Sequence, residues 1–261
     1  MPTDDVLEEL FSIRGKVAVV TGGTRGIGLM IAEAYVRAGA KVYVSSRKAD
    51  VVAEIEGALS KLGECIGIPA DLSTEAECRR LASEISSRED RVHILVNNAG
   101  ATWGAPLDDY DDAAWDRVLD LNVKGVFHLT KFLRPQLEAA ATDDDPARVI
   151  NVGSIDGIQV PMLETYAYSS AKAAVHQLTR HLAKRLAPKV TVNAIAPGPF
   201  QSKMMKATLE SFGESIAASA PMKRIGRAED MAAVAIYLAS RGSAYVTGAV
   251  IPVDGGIATV A

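Results

Sequence analysis

A doubly wound α/β fold, a parallel sheet of about seven strands with helices on both faces, is predicted by three observations. Short β-branched runs recur from one end of the chain to the other. The stretches between them carry apolar residues at spacings of three and four, the period of a helix with one buried face. Parallel strands need such helical crossovers, and the crossovers cover both faces of the sheet.

The runs, in order, are "KVAVV" from Lys16, "KVYVS" from Lys41, "CIGIP" from Cys65, "VHILV" from Val92, "RVINV" from Arg148, "VTVNAI" from Val190 and "AVIPV" from Ala249. Residues 26–38 and 74–87 are examples of the helical stretches between them. Two segments break the rhythm. "AATDDDPARV" (140–149) joins helix to strand as a solvated acidic loop. The segment 199–227, long, Met-rich and apolar, is either a lid over a site at the strand ends or a plain structural insertion. No Pro/Gly/Ser-rich linker, shift of composition or internal repeat divides the chain, so residues 1–261 are expected to form one domain.

Composition narrows the function. The chain is 48% hydrophobic and 23% charged with a net charge of −4, which offers nucleic acid and anionic membranes no electrostatic attraction. No apolar run is long enough for a membrane span, and the opening "MPTDDVLEELF" lacks a basic region followed by an apolar one, so a cytoplasmic protein is expected. Cys65 and Cys78 have no His or Cys at ligand spacing and read as buried thiols. His93, His128, His176 and His181 show no metal spacing either, so packing or surface roles and no metal are expected.

The first strand runs into "TGGTRGIG" (21–28) and then into a helical pattern. Glycine at that junction permits a tight turn and a close approach of backbone to a pyrophosphate, while the helix N-terminus offers unpaired N–H groups. The spacing of Gly22, Gly26 and Gly28 is G-x-x-x-G-x-G. Together with "NNAG" (97–100), "NVGS" (151–154), "YSSAK" (168–172) and "PGP" (197–199), it resembles the short-chain dehydrogenase/reductase family from Gly15 to about Gly256. That resemblance implies a Rossmann-type fold and a nicotinamide dinucleotide.

Family members that use NAD carry an Asp at the end of the second strand, facing the ribose 2′-hydroxyl. Ser46 stands there, followed by Arg47 and Lys48, and Arg25 lies inside the glycine turn. Guanidinium groups grip phosphate in bidentate fashion, so NADP(H) is expected over NAD(H), unless these charges are merely solvated. The resemblance carries further contacts over to Thr24, Ile27, Leu72, Ala99 and Gly100, to Asp71 at the adenine, and to Asn98 at the adenosine ribose and central strand. Asp71 could equally cap the helix that begins near Ser73. Pro197 and Gly198 match the family's turn at the nicotinamide, and Ser202 stands where a Thr is frequent.

Hydride reduction of a carbonyl needs a proton donor. A tyrosine serves only if a cation favours its phenolate. Tyr168 and Lys172 lie about 40° apart around a helix, whereas Tyr166 lies about 120° from Lys172, so geometry selects Tyr168. The family motif makes the same choice. It implies Ser154 as donor to the developing alkoxide, Lys172 on the nicotinamide ribose and lowering the Tyr168 pKa, and Asn122 ordering water beside the lysine. Trp103, Tyr110, Ile155, Met162, Met204 and Met205 are either walls of a substrate mouth or core, and Tyr166 is left a wall position.

Within the family the chain resembles reductases of 3-oxoacyl chains on acyl carrier protein, in the branch associated with rhamnolipid-type lipids. Lys203, Lys206, Lys223, Arg224 and Arg227 would then meet the acidic carrier or simply face solvent. The same motifs serve polyols, sugar acids, steroids and xenobiotic ketones, because they encode the reaction and not the substrate. A catalytically silent dinucleotide sensor would have lost the tyrosine or lysine, and both are present. Small residues on "SAKAAVHQLTRHLA" and the apolar "AYVTGAVIPVDGG" fit the family's homotetramer or homodimer as well as they fit a core.

Overall fold

A computed structural model describes residues 6–201 and 206–260, the side chains of residues 206–210 excepted. Ser202, Lys203, Met204 and Met205 therefore lie outside the described residues, as does the side chain of Lys206.

Among the described residues seven strands form one parallel sheet: β1 (Val17–Thr21), β2 (Lys41–Ser46), β3 (Cys65–Pro69), β4 (Ile94–Asn97), β5 (Ala147–Val152), β6 (Val190–Pro197) and β7 (Val250–Val253). Their spatial order is β3-β2-β1-β4-β5-β6-β7. The helices are α1 (Val6–Phe11), α2 (Gly26–Arg37), α3 (Ala49–Leu59), α4 (Glu75–Ser86), α5 (Asp112–Leu119), α6 (Gly125–Ala140), α7 (Tyr166–Leu186), α8 (Lys206–Ser219) and α9 (Ala228–Ala239).

Alternation along each strand builds two cores. Ala18 and Val20 of β1 join Val42, Val44, Ile94, Val96 and Ile150 on one face, under Ile31 and Tyr35 of α2 and Met231, Ala235 and Leu238 of α9. Val17 and Val19 turn the other way, with Tyr43, Leu95, Val149 and Val192, under Leu81 and Ile85 of α4, Leu129 and Leu133 of α6, and Ala183 of α7. At about 25 cal/mol per Å² of apolar surface, two such faces supply the main force that closes the sheet.

The fourth strand begins later than its sequence suggests. Val92 and His93 are not in β4: their N–H groups bond Gln136 O and Val17 O, and His93 Nδ1 accepts from Val17 N. The segment 199–227 is not a structureless excursion either, since α8 fills part of it. Its neck is closed by a bridge between Phe200 and Gly226, with Gly226 N–H on Pro199 O at 2.9 Å and the Phe200 ring buried under Gly226.

Sheet order reverses between β1 and β4, because β2 and β3 lie to one side of β1 while β4 to β7 lie on the other. Ligands of open α/β sheets bind in the crevice at such a reversal, beyond the carboxyl ends of the strands.

Candidate active site

At that crevice the glycine turn is built for close approach. Gly22 (φ +63°) and Gly26 (φ +52°) occupy the left-handed region that side chains resist. Gly28 faces Gly22 O and Asn98 Nδ2 so closely that a Cβ there would collide with both. Asn98 explains why the turn holds its shape, for its Nδ2 donates to Thr21 O at 2.9 Å and Gly22 O at 3.2 Å. Thr21 Oγ1 accepts from the N–H groups of Asn98 and Ala99 and donates to Val96 O, which fastens β1 to the end of β4. Helix α2 starts at Arg25 in extended backbone without a side-chain cap, so its first-turn N–H groups face the crevice as an anion site does. These features fit a dinucleotide pyrophosphate.

The remaining expected cofactor residues divide by exposure. Thr24 and Leu72 are buried, and Ile27 lies against the α2 core. Gly23 N–H bonds Ser45 O at 3.3 Å, so the glycine turn lies against the end of β2. Arg25, Arg47 and Lys48 are all exposed. Asp71 is not a helix cap: its Oδ1 accepts from Ser73 N–H, while Thr74 caps α4 by accepting from Glu77 N–H. A cap needs the position next to the first turn, and Asp71 is too far upstream. Pro197 ends β6, and Gly198 leaves no space for a side chain against Asp254.

The four residues expected to do chemistry converge at the ends of β4 and β5. Lys172 Nζ donates to Val152 O at 2.7 Å and lies 5.5 Å from the Tyr168 ring centroid, on the same face of α7. Ser154, just past β5, is buried, and its hydroxyl favours the phenolate of Tyr168. Its Oγ also accepts from Asp156 N–H at 3.2 Å, capping a single 3₁₀ turn, Ile155–Gly157. A Cβ on Gly100 would lie 3.2 Å from Asn122 Oδ1 and 3.7 Å from Lys172 Nζ, so the "NNAG" loop touches both.

One expectation is corrected here. The phenol of Tyr168 is not lowered: burial pushes it up to about 12, the Asp156 carboxylate adds to the rise, and only the Ser154 hydrogen bond opposes it. Burial also brings the Lys172 ammonium down to about 8, with Asp156 alone resisting. The side chain of Asn122 faces the loop after β4. Its Oδ1 accepts from Ala101 N–H at 2.8 Å and its Nδ2 donates to Ala101 O at 2.9 Å, so the amide pins the loop after β4. It does so from a π-helical turn, Asp120–Lys124, wedged between α5 and α6.

Tyr166 stands apart from this cluster. Its hydroxyl donates to Glu164 Oε1 at 2.8 Å, and its ring meets Tyr110 edge-on at 5.2 Å. Tyr110 accepts from Ala167 N–H and donates to Trp103 O, so Trp103, Tyr110 and Tyr166 brace one wall beside the start of α7. Ile155 is buried, and Met162 is 94% exposed. Among the basic residues expected near the mouth, Arg224 pairs with Asp230 through two hydrogen bonds and Lys223 donates to Ala218 O. Asp156 is the site residue that motif reading passed over, although a carboxylate two positions after Ser154 was a visible signal.

A family model described as enoyl-(acyl carrier protein) reductase matches residues 22–258. The chain is 49% identical over 249 residues to the rhamnolipids biosynthesis 3-oxoacyl-[acyl-carrier-protein] reductase of Pseudomonas aeruginosa, covering 94% of this chain and 97% of that protein. It is 36% identical over 248 residues to the 3-oxoacyl-[acyl-carrier-protein] reductase FabG of the same organism, covering 94% of this chain and 98% of that one. The solved RhlG/NADP active-site complex of Pseudomonas aeruginosa superposes with a TM-score of 0.92 at 48% identity, covering 96% of this chain and 99% of that chain.

Proposed function

We propose, for a chain that belongs to the short-chain dehydrogenase/reductase family, reversible reduction of 3-oxoacyl thioesters with NADP(H). The observation that carries the reading is the meeting of Ser154, Tyr168 and Lys172 beside the glycine turn at the sheet reversal. NADP(H), when bound, supplies or accepts the hydride.

The chain's own residues handle oxygen and proton. With Asp156 N–H holding one lone pair of Ser154 Oγ, the serine proton is free to point at the ketone oxygen and stabilise charge as it develops. The phenol of Tyr168, kept protonated by burial, delivers the proton to that oxygen. Lys172, held by Val152 O, sets the distance between α7 and β5 and presents its ammonium to the ribose side of the crevice. Arg25, with Arg47 and Lys48, receives the 2′-phosphate, while Asp71, Leu72, Asn98, Ala99 and Gly100 border the adenosine half and Pro197 and Gly198 the nicotinamide.

The substrate class is supported by an apolar rim. Between the 3₁₀ turn and α7 the chain exposes Ile158, Val160, Met162 and Leu163, with Val160 at 92%, an arrangement suited to an acyl chain and ill suited to a sugar acid. Glu164 O accepts from Ala105 N–H, so the rim abuts the wall that contains Trp103.

We further propose that residues 1–261 act as one domain, in the cytoplasm, as a homotetramer or homodimer. The fully exposed ring of Tyr245 just before β7 suits one of the twofold contacts. Among the described residues no helix is long and apolar enough to cross a membrane.

The test is nicotinamide absorbance with purified protein against 3-oxoacyl thioesters of increasing chain length, short diketones and sugar acids, with NADPH and with NADH. Thioesters preferred with NADPH support the reading, and turnover confined to polyols or sugar acids overturns it. Sedimentation showing a monomer at micromolar concentration would remove the assembly proposal.

A further inference from the structure

The chain that follows β7 folds back against two separate parts of the site's edge. Asp254 comes directly after the strand, and its carboxylate closes the next turn. Oδ1 accepts from Gly256 N–H at 2.8 Å, and Oδ2 accepts from Ala258 N–H at 2.7 Å. Both oxygens of one half-buried carboxylate are thus engaged by backbone donors, in charge-assisted bonds that a neutral side chain reproduces only in part.

The turn so closed is wedged between the two ends of the segment 199–227. On one side Gly198 N–H bonds Val253 O at 3.0 Å, and a Cβ on Gly198 would lie 2.6 Å from Asp254 Cβ and 2.8 Å from its Cα. On the other side Met222 N–H bonds Gly255 O at 3.1 Å, and a Cβ on Gly256 would lie 3.0 Å from Pro221 Cγ. Beyond Pro197, where β6 ends, the chain is therefore backed by Asp254 itself.

We propose that Asp254 is a positioning residue for the nicotinamide half of the cofactor: its carboxylate locks the C-terminal turn, and the locked turn backs Gly198 on one side and Met222 on the other. The proposal rests on Pro197 and Gly198 bordering the nicotinamide. Without the carboxylate, the N–H groups of Gly256 and Ala258 lose their acceptors and the surface behind Gly198 slackens. The glycine turn keeps its own supports, because β4, β5 and β6 lie between β1 and β7 and Asn98 pins that turn independently.

Calorimetric titration with two probes reads the difference between the halves without any substrate. One is NADPH; the other is 2′,5′-ADP, which carries the adenosine half and the 2′-phosphate and no nicotinamide. Asp254→Ala is expected to weaken NADPH binding by about tenfold, with 2′,5′-ADP within about twofold of native. Asp254→Asn, which keeps one acceptor oxygen, should lose less than Asp254→Ala and show the same split. Equal weakening of both probes makes Asp254 a structural residue and overturns the proposal, and so does unchanged affinity for both. Should Asp254→Ala not fold, Asp254→Asn carries the test, and failure of both to fold also overturns it. Gly198→Ala, whose methyl group meets Asp254, separates the proposal from the reading beneath it. A selective loss of NADPH in Gly198→Ala but not in Asp254→Ala overturns the proposal alone, whereas no selective loss in either removes the nicotinamide turn as well.

Discussion

Lys172 Nζ donates to the carbonyl oxygen of Val152, two residues before Ser154, at 2.7 Å. Helix α7 and strand β5 are therefore tied together at the site by a charged donor on a backbone acceptor, a stronger bond than a neutral pair. Replacing Lys172 by Met leaves that carbonyl buried without its partner. Turnover is expected to fall by about 10²–10⁴-fold, with a loss of stability of about 1–3 kcal/mol, read by kinetics and denaturant midpoints.

The two tyrosines of "TYAYSSAK" separate cleanly. Tyr168→Phe is expected to lower kcat by about 10²–10⁴-fold with dinucleotide affinity retained, as measured by stopped assay and NADPH fluorescence. Tyr166, bonded to Glu164 and braced on Tyr110, belongs to the wall. Tyr166→Phe should leave the rate with a short substrate within a few-fold of native, and full activity in Tyr168→Phe would refute the assignment.

Cofactor choice is carried by exposed cations. Arg25→Ala and Arg47→Ala are each expected to raise the KM for NADPH by about 10–100-fold, the loss of one charge-assisted contact, with the KM for NADH unchanged. Equal effects on both dinucleotides would mean that these arginines do not meet a 2′-phosphate.

Gly28→Ala places a methyl group against Gly22 O and Asn98 Nδ2, which are backbone and a doubly bonded amide that cannot yield. A loss of about 1–3 kcal/mol in stability is expected from overpacking, together with weakened NADPH binding measured by fluorescence titration.

His176 lies buried one turn after Lys172, with its Nε2 lacking a partner and its ring against Gly153 and Gly157. Burial pushes its pKa down to about 4, so the unfolded chain binds a proton that the folded one refuses. That part of the stability is present above about pH 6.5 and is lost as pH falls toward 4, up to about 3 kcal/mol. His176→Gln should flatten the fall of denaturant midpoints between those values, and an unchanged slope would place the acid sensitivity elsewhere.

Much of this was legible in the residues. Strand runs such as "KVAVV" and "VTVNAI" read directly because both faces of a parallel sheet are apolar, and the four-residue spacing of Tyr168 and Lys172 is a local property of one helix. What failed to show depends on contacts between distant segments. The bridge of Phe200 to Gly226, the bond of Lys172 to Val152 O and the displaced start of β4 at Ile94 each need a partner far along the chain. The direction of the Tyr168 shift was missed for the same reason, since desolvation is set by everything around the phenol and the motif names only its neighbours.

The π-turn at Asp120–Lys124 has a consequence for insertions and deletions. Gly125 N–H reaches back to Asp120 O, one residue further than an α-helix would, so the segment carries one residue more than a regular α-helix of the same span needs. Deleting a single residue there would let α5 and α6 fuse into one unbroken spiral, cheap in backbone bonds, yet everything downstream would turn by about 100° relative to α5. Asn122 would swing off Ala101 and release the loop that borders Lys172. The surplus residue thus works as a phase adjuster, keeping two helical rotations in step with one fixed loop.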